Sequence, residues 1–324
     1  MRLIDLRCDW ALQYAAESSQ YDPSAYAEIP GRVPRLDGYL MGTSLAVLVC
    51  RRKPSDWAGQ ADPWRALGEM IARHEAEFSG RLLGRPDDAA RWRAEPEGFL
   101  CWGSLAVDGL GHLVRTTADL DRLPSLLERG VRVFRPIDAA SGLLGGSREP
   151  GDDRGLTELG RAFLERLLDL APAEGPRPAL DLSGANARAI GEILDWFEAD
   201  AGRSDRLPLM HSHGPVEPLG PDLPRRLRAL GVTLGVSPGP TVEAFRAAIE
   251  DLAALPFRGR AGYEGIGVAT DYLGLETVPA ELADVEKLEA WVAQTFPPET
   301  APLLLAENAR RLLLATAGAS GDEA

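Results

Sequence analysis

The strongest constraint on this chain is a repeating alternation of short apolar segments with amphipathic helical stretches. Candidate strands are Leu3–Arg7, Ser44–Cys50, Phe99–Val107, Val131–Pro136, Ala179–Leu182, Pro208–Ser212, Val232–Val236 and Gly265–Ala269. Each is short and apolar along most of its length, as a strand covered on both faces must be. Helical spacing marks Pro63–Phe78, Leu120–Arg129, Thr157–Leu170, Ala185–Ala199, Leu223–Leu230 and Val242–Leu255 between them. Capping residues open several of these, such as Asp62 before Pro63, and Thr241. Eight such strands in 324 residues predict an α/β fold of the (β/α)8 TIM-barrel type. A doubly wound sheet is the runner-up, but no Gly-x-Gly-x-x-Gly follows the first strand. A single domain is expected over residues 1–316, with a disordered tail at 317–324. The loops Arg51–Asp62, Ala139–Gly155 and Ala171–Pro178 read as connections within it.

Charge narrows the function classes. Lys plus Arg is 35 against 49 for Asp plus Glu, a formal net charge of −14. That balance argues against a nucleic-acid partner and against an anionic membrane surface. The opening Met1-Arg2-Leu3-Ile4-Asp5 places charges where a secretory leader needs an apolar core. The longest apolar stretch, near Tyr39–Cys50, is too short to cross a bilayer. Cys8, Cys50 and Cys101 are dispersed and read as reduced packing thiols of a cytoplasmic protein. With 4 histidines, the chain has few ligands for a metal pair.

Barrels of this type carry their chemistry at the C-terminal ends of the strands. Strand one ends with Asp5, Arg7 and Asp9 on one face, by alternation. Strand three runs into Asp108-Gly109-Leu110-Gly111-His112, and strand four into Arg135-Pro136-Ile137-Asp138. The fifth ends Asp181-Leu182-Ser183-Gly184, the sixth His211-Ser212-His213, and the eighth leads to Thr270-Asp271. Polar groups therefore converge on one mouth, from which a small-molecule ligand or substrate is expected.

These strand ends resemble, in order, the motifs of the renal or membrane dipeptidase family, zinc-dependent relatives of the barrel-fold amidohydrolases. Asp5–Asp9 resembles its Asp-Gly-His-Asn-Asp, and Asp108–His112 its Glu-Gly-Gly-His. Gly155-Leu156-Thr157-Glu158-Leu159-Gly160-Arg161 is similar to its Gly-Leu-Thr-x-x-Gly-Arg. Asp181-Leu182-Ser183-Gly184 is similar to its Asp-Leu-Ser-His, and Ser212-His213 to its Ser-His. Gly265–Tyr272 and the helix start Glu307-Asn308 resemble its closing motifs. The resemblance implies a metal-dependent hydrolase of dipeptides or related small amides, and a homodimer.

Residue by residue, the resemblance carries over incompletely. Asp9, His213 and Asp271 match family ligands, and Asp108 stands one methylene short of the bridging glutamate. Arg7 occupies a histidine-ligand position and Gly184 another, while Asp138 replaces a transition-state histidine. The implied metal set is Asp9, Asp108, His213 and Asp271, able to hold one zinc weakly, whereas a two-zinc site is not expected. On that reading Asp271 is the base, with Asp138 and Arg7 beside it. The alternative is a catalytically inactive relative that binds a small molecule or partner, with Arg7 salt-bridged to the former ligand carboxylates. A third reading is a metal-free enzyme in which Arg7 polarises the substrate and Asp138 or Asp271 acts as base. His112 and His211 are either replacement ligands or ordinary loop and core histidines.

Overall fold

The computed structural model describes residues 2–9, 41–51, 57–95, 100–214, 219–272 and 278–319. Its strands are β1 (Leu3–Cys8), β2 (Thr43–Cys50), β3 (Trp102–Asp108), β4 (Val131–Arg135), β5 (Ala179–Asp181), β6 (Leu209–His211), β7 (Thr233–Val236) and β8 (Ile266–Val268). They form one 8-stranded sheet in sequence order. Every neighbouring pair is parallel, as between β2 and β3, where Leu45 faces Trp102 and Cys50 faces Val107. Helices follow most strands, so the sheet is buried on both faces and its strands can be apolar throughout. This is the expected (β/α)8 architecture.

The seam between β8 and β1 is closed largely by a side chain. Asp5, fully buried, accepts from Thr270 N (2.8 Å) and Thr270 Oγ1 (2.6 Å). Its Oδ1 also accepts from Arg7 N (3.0 Å), and Asp271 N donates to Arg7 O (3.3 Å). Buried polar atoms must find partners, so this carboxylate fixes the end of β8 against β1. At the same seam Gly267 leaves room for Leu6, since a Cβ there would begin 2.8 Å from the leucine Cδ1.

Helix starts follow local chemistry. Asp62, Thr157, Asn186, Thr241 and Asp284 each accept a backbone N–H of the first turn with the side chain. The expected helix Leu120–Arg129 is instead a 3-10 turn, Thr117–Arg122, followed by a short α-helix, Leu123–Glu128. Pro124 explains the break, because proline is tolerated in a first turn but not in a helix interior. A helix also spans Pro86–Ala94, where only Ala89 is buried, so no apolar stripe announces it. Two more helices, Val285–Thr295 and Asn308–Thr316, complete the outer layer. Of the expected tail, Ala317 is buried and residues 320–324 lie outside the described ones. Among the described residues, no helix is long and apolar enough to cross a membrane.

Candidate functional site

The C-terminal strand ends bring Arg7, Asp9, Asp108 and Asp271 into one buried cluster. Arg7 is 1% exposed. Its Nε lies 3.1 Å from Asp271 Oδ1, and its Nη2 lies 3.1 Å from Asp9 Oδ1 and 3.2 Å from Asp108 Oδ2. Burial alone would lower the arginine pKa, but Asp9, Asp271, Asp108 and Asp181 outweigh it and raise it. The guanidinium is therefore a fixed cation among carboxylates.

Two further arginines join it, neither of which the sequence reading selected. Arg135, from the end of β4, places Nε 2.8 Å from Asp108 Oδ1. Arg51, just beyond β2, places Nε 3.4 Å from Asp9 Oδ1, with its side chain 31% exposed. Both lie at strand ends, and position at a strand end is the one sequence signal they carry, which does not tell a paired arginine from a solvated one. Burial alone would raise Asp9, but Arg51 and Arg7 hold it down at about 2.

Asp271 behaves oppositely. Burial pushes it up, the pull of Arg7 opposes this, and the adjacent Asp9 carboxylate adds to the rise, giving about 7. Asp271 therefore takes up its proton at a higher pH than Asp9 does, as expected of two neighbouring carboxylates. Asp271 also has φ +44°, an uncommon left-handed conformation for a non-glycine residue.

His213 joins the cluster through Arg135. A guanidinium can only donate, so Arg135 Nη1 donates to His213 Nε2 (3.3 Å). The imidazole then carries its proton on Nδ1, which donates to Ser212 Oγ (2.9 Å). Ser212 Oγ in turn donates to Asp181 Oδ2 (2.5 Å) and accepts from Ser183 Oγ (2.9 Å). Burial is the main cause of a His213 pKa well below the usual histidine value, and Arg7 and Arg135 add to it. His211 is likewise neutral, lowered to about 3 by burial and Arg148, whose Nη2 donates to its Nε2 (2.8 Å).

Asp138 stands apart from Arg7. It pairs with His112 (Nε2 to Oδ1, 3.1 Å) and accepts from Ala140 N (2.9 Å). Gly109 separates it from Trp57: a Cβ there would begin 3.1 Å from Asp138 Oδ2 and 3.6 Å from Trp57 Nε1. That buried indole N–H has no hydrogen-bond partner among the described residues. Gly109 has φ +73°, so glycine suits both the backbone and this close approach.

The residues do not fit the zinc that the resemblance to the dipeptidases implies. The cation that Asp9, Asp108 and Asp271 face is Arg7, and the Nε2 lone pair of His213 is taken by Arg135. At Gly184, φ is +91° and a Cβ would lie 2.7–2.9 Å from Asp138 and Ile137 backbone atoms. That position therefore has no room for a ligand side chain. Among the described residues, no group of three or more His, Cys, Asp or Glu is arranged to hold a metal.

Comparison with known proteins supports the fold. A crystal structure of an amidohydrolase from Pseudomonas aeruginosa superposes with a TM-score of 0.64 over 98% of this chain and 97% of that chain. Identity is 13%, so the likeness is one of fold. No protein-family model matches the chain, and no curated protein matches it.

Proposed function

We propose that this chain is a dipeptidase-like barrel that binds a small polar molecule without a metal, Arg7 standing as the central cation among the carboxylates. One observation carries the reading: Arg7 lies 3.1–3.2 Å from Asp9, Asp108 and Asp271. A dication entering there would meet a fixed positive charge and carboxylates already ion-paired to arginine. The groups left for a ligand are at the rim. Arg51 is partly exposed, and Asp138 and His112 are each 12% exposed; behind them the buried Trp57 Nε1 has no hydrogen-bond partner among the described residues. Such a set suits a ligand bearing a carboxylate for Arg51 and an N–H or ammonium group for Asp138, a dipeptide-like zwitterion.

Metal analysis and thermal-shift titration of the purified protein test this. The expected result is substoichiometric zinc and manganese and no gain in melting temperature on adding either. Tightly bound metal, one or more per chain and lost in Asp9→Ala, would overturn it. A dipeptide screen should give stabilisation that Arg51→Ala and Asp138→Asn each weaken.

A second reading is favoured by Asp271, whose raised pKa of about 7 suits a proton carrier at neutral pH. Under it the chain is a metal-free hydrolase, with Asp271 and Asp138 as acid–base groups and Arg7 as an electrostatic stabiliser. Hydrolysis of dipeptides that persists with a chelator, follows a pH profile inflecting near 7 and is lost in Asp271→Asn would select it.

A further inference from the structure

The opposite, N-terminal mouth of the barrel holds a cavity of about 310 Å³. It lies where β6 and β7 begin, at Leu209 and Thr233, with Gly265 just before β8. Three arginines line it, Arg177, Arg258 and Arg311, with Asp205 as the acidic member. None of the three arginines makes an ion pair among the described residues, although the chain carries 49 acidic groups.

Neighbouring arginines show what a purely structural guanidinium looks like. Arg228, fully buried, donates to the carbonyls of Leu255 (3.2 Å), Gly262 (2.6 Å) and Glu264. Arg206 donates to Ala171 O and Leu168 O. The lining arginines are not consumed in this way. Arg177 places Nη1 on Asp205 O (2.6 Å) and leaves a buried Nε without a partner among the described residues. Arg311 makes one long contact to Asn308 Oδ1 (3.4 Å). Arg258 lies over the Phe257 ring, its guanidinium carbon 5.8 Å from the centroid, and rests where Gly231 has no side chain; its φ is +47°.

We propose that this cavity binds a small phosphate-bearing anion. Guanidinium groups present planar forks of N–H donors that match phosphate oxygens, and three of them offer more donors than a single carboxylate can accept. Leu209, Leu230 and Leu312 supply an apolar wall for the rest of the ligand, and the volume is that of a small-metabolite site. The site is at the opposite end of the strands from Arg7 and does not depend on what that cluster does.

Calorimetric titration of the full chain with inorganic pyrophosphate tests the assignment, with citrate as the polycarboxylate control. One pyrophosphate per chain is expected, its affinity falling about tenfold or more in Arg258→Ala and in Arg311→Ala, and with added salt. Arg51→Ala, at the other mouth, is expected to leave it unchanged. The proposal is overturned if pyrophosphate does not bind, if citrate binds as tightly, or if Arg51→Ala rather than Arg258→Ala abolishes binding. Circular dichroism and melting of each variant separate a lost site from a lost fold.

Discussion

The two mouths of the barrel use arginine in opposite ways. At the C-terminal mouth Arg7 and Arg135 are almost wholly buried, and each is matched to a carboxylate at 3.2 Å or less. At the N-terminal mouth Arg177, Arg258 and Arg311 line an open cavity and make no ion pair among the described residues. The difference teaches that a net charge of −14 says little about any one site. What decides is whether a cation already has its anion. A buried, paired guanidinium is part of the fold, whereas a convergent, unpaired set is available to a ligand.

The sharpest way to break this comparison is to remove the paired cation. Arg7→Met leaves Asp9 and Asp108 buried with one partner each fewer, and is expected to cost about 3–5 kcal/mol in urea unfolding. Millimolar manganese should restore part of the loss, because three carboxylates then face the vacated centre; the wild type should not respond. A near-neutral Arg7→Met would show that the cluster carries fewer charges than its geometry indicates. Adding a second histidine is expected to fail: Arg7→His with Gly184→His should bind metal no better than Arg7→His alone. Its unfolding midpoint should also fall further, because a Cβ at position 184 meets backbone at 2.7 Å.

The hydrogen-bonded half of the same mouth should be less costly to disturb. Ser212→Ala removes the group that links His213 to Asp181, leaving both short of a partner, at about 1–3 kcal/mol. The pH profile should show the histidines that burial lowers, His211 and His213 at this mouth and His74 on the helix Pro63–Glu77. His74 is lowered to about 4 by burial and His211 to about 3, so unfolding below pH 6.5 takes up protons that the native state refuses. Their contribution is full above the unfolded value and is lost as pH falls towards 4. Asp271 opposes it: its raised value, about 7, makes its own contribution greatest below pH 4 and gone above 7. With His213 adding to the histidine side, the urea midpoint should fall from pH 6.5 to 4, and fall more steeply in Asp271→Asn.

Much of the scaffold was legible because a strand buried on both faces must be apolar along its length, and eight such runs leave few topologies. The pairing of Arg7 with carboxylates was legible too, since alternation along β1 puts Asp5, Arg7 and Asp9 on one face. Arg135 and Arg51 were not, because a basic residue at a strand end looks the same in sequence whether it meets an acid or solvent. Alternation assigns Asp5 to the polar mouth, yet its contacts to Thr270 close the β1–β8 seam. The N-terminal cavity had no sequence signal at all. Arg177, Arg258 and Arg311 come from three distant segments, and only closure of the barrel brings them together.

The smallest effects are expected where the arginines are unpaired, and they separate the two mouths most cleanly. Arg258→Ala should change stability by less than about 0.5 kcal/mol, since no ion pair is lost. Arg258→Gly should stabilise the chain by about 1 kcal/mol: φ of +47° is strained for arginine and free for glycine, an effect partly offset by the extra entropy of an unfolded glycine. At the same time it should weaken pyrophosphate binding about as much as Arg258→Ala does. A residue whose removal improves the fold while impairing an anion site is kept in place by the ligand rather than by the fold. If instead Arg258→Gly lowered the melting temperature by as much as Ser212→Ala does, the guanidinium would be a structural strut like Arg228, and the contrast between the two ends of the barrel would fail.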